Sequence, residues 1–168
     1  MKNTKETVMI VDDDRFQLSS MQKILQSDYD TVLCKDGKEA IENYKKNTDK
    51  VKTIILDIRL PDMDGFEVFD KIRDINIEVP IIFITGYQDK YDTLEVYKNF
   101  RPHGYITKNG ANEIQMIKDT LKAAVDYYNK ILEIERLKIE KLSQEIEKKY
   151  AAKLLNISRE IQSEIANT

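Results

Sequence analysis

Residues 51–65, with the sequence VKTIILDIRLPDMDG, decide how this chain folds. A run of apolar, largely β-branched residues bounded by turn-forming residues predicts a buried strand. This strand ends on Asp57, shortly before Pro61 and Gly65 impose a loop. Because ligands of open α/β sheets bind at the carboxyl ends of the strands, the carboxylate of Asp57 is a candidate for chemistry.

The same pattern recurs along the chain. Short apolar runs predict five strands, and residues at helical spacing predict a helix of about ten residues after each of the first four. Strands that are apolar on both faces are typical of a parallel sheet covered by helices on each side. The sequence therefore predicts a doubly wound α/β domain. The predicted strands are 7–11, 31–34, 51–57, 80–85 and 105–107, and the helices are about 16–27, 38–47, 66 to before 80, 89–99 and from 111 onward.

Composition and charge limit the classes of protein that this chain can be. Its 168 residues, of which 41% are hydrophobic, are enough for one compact domain and an additional element. The formal net charge of -3 lacks the basic excess of a nucleic-acid surface, so no nucleic-acid partner is expected. The only cysteine, Cys34, excludes an intrachain disulfide. Since no apolar run approaches the roughly 20 residues of a membrane helix and residues 1–6 are too polar for a signal peptide, we expect a cytoplasmic protein with no membrane partner.

Glycine and proline divide the chain into two regions. All five glycines and all three prolines lie at or before Gly110, so the last third carries no strong helix breaker. We expect a domain over residues 1–125 and a long helix that continues over 126–168. The apolar residues of this helix follow a heptad seam that shifts by one residue near Tyr150. The seam runs through Tyr128, Leu132, Ile139, Leu142 and Ile146, and then through Tyr150, Leu154, Ile157 and Ile161.

An apolar stripe of this length is expected to be covered by a partner. Residues 126–168 contain eight acidic and eight basic residues, interspersed along the helix. This composition favours a parallel homodimeric coiled coil. The alternatives are that the helix folds back, or that it packs on another domain.

Polar side chains follow several of the predicted strands. In a parallel sheet the strands end at one edge, so Asp12, Asp13, Asp57, Thr85 and Lys108 are expected to converge there. Carboxylates that lie close together repel each other, and Mg²⁺ bound through oxygen ligands relieves that repulsion. Asp57 is then able to act as a nucleophile toward a phosphoryl group, with charge from the metal and the lysine and a hydrogen bond from the threonine.

The polar residues at the ends of the predicted strands, with the residues around them, stand in an order and spacing that resemble the receiver domain of two-component response regulators. The resemblance extends over about residues 5–125. The resemblance implies a flavodoxin-like fold and no enzymatic activity beyond self-phosphorylation and autodephosphorylation. It is carried by Val11-Asp12-Asp13, by residues 56–65, by Ile84-Thr85-Gly86 and by Tyr105-Ile106-Thr107-Lys108.

The resemblance implies a phosphorylation site with a metal. Asp57 accepts a phosphoryl group from a histidine kinase or a histidine phosphotransfer protein. Asp13 and Asp57 bind Mg²⁺, or Mn²⁺, directly, and the backbone carbonyl of Arg59 completes the protein ligands. Asp12 acts mainly through water.

The resemblance also implies a switch pair and shows one departure from the family. Thr85 moves toward the phosphoryl oxygens while the ring of Tyr105 turns inward, although simple packing is the alternative for Tyr105. The family usually has proline, commonly with a cis peptide, after the lysine that corresponds to Lys108, but here Asn109 follows. Because a cis peptide before a residue other than proline costs about 2.5–4 kcal/mol, we expect a trans peptide unless its surroundings hold it.

Other residues of the same types favour structural roles. Asp13 or Asp14 is suited to cap the first helix, and Asp62 and Asp64 are typical turn residues. His103, the only histidine, is expected in a solvated loop, and Cys34 is expected to be a small core residue.

The sequence thus predicts a receiver that passes its signal through a dimeric coiled-coil helix, with an output domain beyond this chain or in another protein. Two other classes stay open. One is a constitutive dimerisation scaffold with a vestigial receiver. The other is a small aspartyl phosphatase, although such enzymes commonly carry a second acid two residues after the nucleophile, where this chain has Arg59.

Overall fold

The computed structural model describes residues 5–86, 92–108, 110 and 112–166. Within these residues, strands and helices alternate as the sequence predicts; the predicted starts of the last two helices, at residues 89 and 111, lie outside them. The strands are β1 (Glu6–Val11), β2 (Tyr29–Cys34), β3 (Val51–Asp57), β4 (Ile81–Thr85) and β5 (Gly104–Thr107). The helices are α1 (Arg15–Leu25), α2 (Gly37–Lys46), α3 (Gly65–Arg73), α4 (Thr93–Phe100) and α5 (Glu113–Ala166).

The five strands form one parallel sheet in the order β2-β1-β3-β4-β5. Strand β3 is central and pairs with β1, where Val11 lies opposite Leu56, and with β4, where Asp57 lies opposite Ile84. From β1 the chain crosses to one edge of the sheet, and from β3 it crosses toward the other. The boundary between β1 and β3 is therefore the topological switch point, where sheets of this kind bind their ligands.

Both faces of the sheet are buried. On one face Val8 and Ile10 pack in a cluster with Leu18 of α1 and Leu121 of α5. The intervening Met9 is also fully buried. This burial on both faces explains why the strands read as continuous apolar runs. The doubly wound parallel sheet is confirmed, and so is the long C-terminal helix.

Each of the first four helices begins after an aspartate. The Asp14 carboxylate accepts a hydrogen bond of 2.8 Å from the backbone amide of Phe16 at the start of α1. Asp36, Asp64 and Asp92 cap α2, α3 and α4 in the same way. These caps satisfy amides that have no partner inside the helix. Because Asp14 caps α1, Asp13 remains available to the carboxyl edge of the sheet.

The chain divides into two compact units, residues 1–129 and residues 130–168. Within the first unit, α5 is buried as far as Tyr128, whose hydroxyl oxygen accepts a hydrogen bond of 2.8 Å from Asn76 Nδ2. This bond joins α5 to the loop between α3 and β4. The packing of α5 in the first unit therefore includes a specific polar contact close to the end of that unit.

The second unit is helical through Ala166. Residues 133–166 are all exposed, and they include many large apolar side chains. Among the residues that the structure describes, no helix has a stretch long and apolar enough to cross a membrane.

Candidate functional site

Three aspartates meet at the carboxyl edge of the sheet, at the switch point between β1 and β3. Asp57 is the last residue of β3, and Asp12 and Asp13 directly follow β1. One carboxylate oxygen from each of the three lies within 4.8 Å of the other two. Asp12 and Asp57 are buried, with 4% and 6% of their surface exposed, whereas Asp13 is exposed. The sheet thus concentrates negative charge at one place, where two of the three carboxylates are shielded from water.

Lys108 brings a positive charge to the aspartates from the other side of β4. It follows β5, and its backbone amide donates a hydrogen bond of 2.8 Å to the carbonyl of Thr85. Its ammonium donates to Asp12 Oδ2 at 2.7 Å and to Asp57 Oδ2. One lysine therefore bridges two carboxylates that come from different strands.

The loop after β3 folds back on the strand. The backbone amide of Arg59 donates to Asp57 Oδ1 at 3.1 Å, and the amide of Gly65 donates to the carbonyl of Ile58 at 2.8 Å. A Cβ atom at Gly65 would lie only 2.4 Å from the backbone oxygen of Asp57, so this close approach requires glycine. The folded loop brings the main chain of Arg59 beside the carboxylate of Asp57.

Asp62 and Asp64 hold this loop in place. The Asp62 carboxylate accepts hydrogen bonds of 2.9 Å from the backbone amides of Gly37 and Lys38, at the start of α2. Asp64 caps α3 and forms a capping box with Glu67. Both aspartates bind backbone amides, in agreement with their prediction as turn residues. The contact between Asp62 and α2 was not predicted, since no local signal connects residues so far apart in sequence.

Thr85 and Tyr105 occupy neighbouring strands behind the aspartates. Thr85 ends β4, one residue beyond the partner of Asp57, and it is fully buried. Tyr105 pairs with Phe83 in the sheet; its side chain is half-buried and its hydroxyl oxygen is buried. Thr85 is therefore close to the edge at which Asp57 lies, one residue before the exposed Gly86.

Burial and Lys108 have opposite effects on the pKa of Asp57. Desolvation raises the pKa of Asp57 above its usual value, although the hydrogen bond and charge of Lys108 and the amide of Arg59 reduce this increase. For Lys108, burial lowers the pKa, but the hydrogen bonds to Asp12 and Asp57 outweigh burial and leave the pKa raised. Lys108 is therefore protonated at neutral pH, and it offsets only one of the three carboxylate charges.

The donor atoms fit a hard divalent cation. Two ligands on opposite sides of Mg²⁺, each at about 2.1 Å, lie about 4.2 Å apart. The three aspartate oxygens, within 4.8 Å of one another, therefore reach one ion after small side-chain rotations. They open into a cleft of about 690 Å³. It is lined by Asp12, Asp13, Asp14, Gln17, Asp57, Ile58, Arg59, Leu60, Pro61, Asp64, Gly86 and Lys108.

The remaining candidate residues lie outside this cleft. Cys34 is fully buried, as predicted. His103 lies in the loop between α4 and β5, as predicted, but the prediction that it is solvated is wrong. Its side chain is half-buried, with its ring centroid 5.4 Å from that of Tyr127, and burial lowers its pKa. The prediction of a trans peptide between Lys108 and Asn109 falls outside the described residues.

Fold and site together define a parallel α/β domain with a cluster of aspartates and a lysine at its switch point. Residues 8–122 match the family described as the response regulator receiver domain. Because this match covers more than half of the chain, the chain belongs to the response regulator receiver family. Receiver domains are phospho-accepting signalling domains that hold Mg²⁺ at an aspartate cluster, and this chain has such a cluster.

Two curated relatives illustrate the similarity. The chain is 34% identical over 86 residues to the alkaline phosphatase synthesis transcriptional regulatory protein PhoP of Bacillus subtilis, covering 51% of this chain and 35% of the relative. It is 32% identical over 105 residues to the transcriptional regulatory protein RprY of Bacteroides fragilis, covering 62% and 43%. The chain thus spans less than half the length of these relatives.

Solved structures share the fold. A CheY-like receiver domain protein from Methanospirillum hungatei is 26% identical with a TM-score of 0.64, and the match covers 76% of this chain and 98% of that one. A chain described as adenylate cyclase from Rhodopirellula baltica is 28% identical with a TM-score of 0.71, with 79% and 96% covered.

Proposed function

We propose that Asp57 is phosphorylated by a histidine kinase or a histidine phosphotransfer protein in the cytoplasm, and that the phosphorylated receiver signals through the helix that follows it. One observation carries this proposal. Asp12, Asp13 and Asp57 lie within reach of one metal ion, and Lys108 bridges two of them.

The Asp57 carboxylate is the nucleophile of the proposed transfer. One of its oxygens attacks phosphorus, an O–P bond forms, and the N–P bond of the phosphohistidine breaks as the imidazole leaves with the electron pair. Asp13, Asp57 and the carbonyl of Arg59, with Asp12 acting through water, would hold Mg²⁺ or Mn²⁺, which would supply positive charge to the phosphoryl oxygens. Lys108 supplies a further positive charge beside the same oxygens.

Thr85 and Tyr105 are the proposed switch. Thr85 is buried one residue beyond the partner of Asp57, which supports movement of its hydroxyl toward a phosphoryl group on Asp57. The ring of Tyr105, which lies on the neighbouring strand β5 two register positions back from Thr85, would follow this movement. Phosphorylation would then alter the surface that carries these two residues.

Intact-mass measurement with a small phosphodonor tests the phosphorylation. With acetyl phosphate and Mg²⁺, the protein is expected to gain the mass of one phosphoryl group, and removal of Mg²⁺ with a chelator is expected to prevent this gain. Asp57→Asn should not be modified. The matched control is Asp70→Asn, because Asp70 is exposed and lies outside the cleft; it should behave as the wild type.

The alternatives give different results in the same experiment. A vestigial receiver would neither bind Mg²⁺ nor gain mass, although its helix would still pair. An aspartyl phosphatase would release phosphate from an aryl phosphate over many turnovers, whereas the proposed receiver would not.

We also propose a division into a receiver domain, through about residue 125, and a helical segment over 126–168 that forms a parallel homodimer. The exposure of the large apolar side chains of residues 133–166 supports this pairing. Sedimentation equilibrium should give the mass of two chains; a monomer at all concentrations would contradict the proposal.

A further inference from the structure

Seven of the exposed large apolar side chains of the second unit recur at intervals of eleven residues. Ile139, Tyr150 and Ile161 are separated by this interval. The same interval separates Ile146 from Ile157, and Leu154 from Ile165. All seven side chains are between 43% and 70% exposed.

A heptad seam does not describe this surface. Continued from Ile139, Leu142 and Ile146, a heptad repeat would bring five polar residues into the seam. Burying charged groups without partners is costly. A seam that follows the eleven-residue interval is instead apolar at Tyr150, Leu154, Ile157, Ile161 and Ile165, although the residue eleven positions after Leu142 is Lys153. The five polar residues are Lys149, Lys153, Asn156, Glu160 and Ser163.

The helix surface offers a hole at the level of Tyr150. A depression on the second unit is lined by Ile146, Lys149, Tyr150 and Lys153. Their spacing of i, i+3, i+4 and i+7 is that of the four residues that receive one side chain of a facing helix. In a parallel pair in register, the side chain at this level is Tyr150 of a second copy. The seam therefore offers both a projecting side chain and a matching hole at one level.

The charges of the segment fit a second copy of this chain better than a partner with a strong charge. Residues 126–168 carry eight acidic and eight basic residues, so two copies do not repel each other. We infer that two copies pair in parallel through the eleven-residue seam of Ile139, Tyr150 and Ile161. Since eleven residues over three turns give about 3.67 residues per turn, the pair winds with a right-handed supercoil and not with the left-handed supercoil of a heptad coiled coil. This inference rests on the proposed dimer.

Disulfide crosslinking of the full chain tests the seam. Cys34, the only cysteine, is replaced by alanine, and single cysteines are introduced at successive positions from 139 to 165. These positions are exposed, so the substitutions leave the receiver intact. Under mild oxidation, Tyr150→Cys and Ile161→Cys are expected to crosslink several-fold more than the adjacent controls Lys149→Cys and Glu160→Cys.

Each other outcome contradicts a defined part of the inference. Stronger crosslinking at the two control positions would establish a heptad seam and overturn the eleven-residue repeat, while leaving the dimer intact. Crosslinking confined to positions near the middle of the segment would establish an antiparallel pair. A monomer by sedimentation, with no crosslinking at any position, would overturn the proposed dimer itself.

Discussion

Asp57 combines burial with two hydrogen-bond donors that lie on different sides of the carboxylate. The amide of Arg59 contacts Oδ1, and the ammonium of Lys108 contacts Oδ2. Both oxygens are thereby oriented, and few water molecules can reach them. The two donors thus hold the carboxylate oxygens in fixed positions in a site where burial disfavours their charge.

Gly65 is expected to be essential for the shape of the loop beside Asp57. In Gly65→Ala, the new Cβ would lie 2.4 Å from the backbone oxygen of Asp57 and 2.7 Å from Cα of Ile58, so the main chain must move. We expect a loss of about 1–3 kcal/mol in the free energy of unfolding, measured by denaturant titration. The control is Gly86→Ala, whose nearest contact would be 3.9 Å, an ordinary separation; equal losses in both variants would contradict the steric explanation.

The thiol of Cys34 is expected to be unreactive in the folded protein. Its side chain is fully buried, and burial raises the pKa of the thiol to about 11, although a hydrogen bond from Asn43 opposes this. Reaction with an aromatic disulfide reagent at neutral pH should be slow for the native protein and fast in denaturant. Rapid modification without denaturant would mean that the end of β2 opens readily.

The loop between β3 and α3 is stabilised by an element distant in sequence. Asp62 binds the first amides of α2, and Asp64 caps α3, so the loop is tied to two helices. These bonds fix the main chain that passes Asp57. We therefore expect the precision of the site to depend partly on Asp62, which does not line the cleft.

The contact of Asp62 with α2 should give a pH-dependent contribution to stability. Desolvation is the largest single influence and raises the pKa of Asp62, but the backbone amides of Gly37, Lys38, Asp62 and Met63 together outweigh it and leave the pKa lowered. The stabilisation is therefore complete above the unfolded pKa of about 3.9 and is lost as the pH falls through the lower folded value.

Asp62→Asn is expected to lower the free energy of unfolding by about 0.5–1 kcal/mol at pH 7. This value is modest because Asp62 is exposed. The difference from the wild type should disappear in strong acid. Chemical denaturation between pH 7 and strong acid measures this difference in the free energy of unfolding, with Asp70→Asn as the exposed control. A difference that stayed constant with pH would exclude a role for the charge.

The hydrogen bond between Asn76 and Tyr128 should contribute to the attachment of α5. Tyr128→Phe removes the acceptor and leaves a half-buried amide without this partner, so we expect a loss of about 1 kcal/mol in the free energy of unfolding. The matched variant is Tyr127→Phe, because Tyr127 is 48% exposed. Equal effects of the two substitutions would show that the bond is not responsible.

For the whole molecule, the proposed signal must pass from the carboxyl edge of the sheet to the paired helices. We expect phosphorylation of Asp57 to alter the geometry or the stability of the dimer. Distances between spin labels on the two copies of the second unit should shift when acetyl phosphate and Mg²⁺ are added. If the wild type and Asp57→Asn respond identically, phosphorylation does not control the dimer.

The local pattern of apolar and polar residues was sufficient to predict the order of strands and helices along the chain. Apolar runs of about five residues identified the strands, and the aspartates at their ends followed directly from the sequence. The number of strands and the parallel sheet were therefore predictable. The solvated position predicted for His103 was wrong, because its packing against Tyr127 joins two segments that no local pattern relates.

The sequence by itself determined the alternation of strands and helices and the presence of an acid at the end of β3, because both depend on the spacing of residues along the chain. Only the tertiary structure decided that Lys108 bridges Asp12 and Asp57, that Asp62 binds α2, and that Asp14 caps α1. These contacts depend on the position and direction of side chains. Those positions are fixed only after the sheet has brought distant segments together.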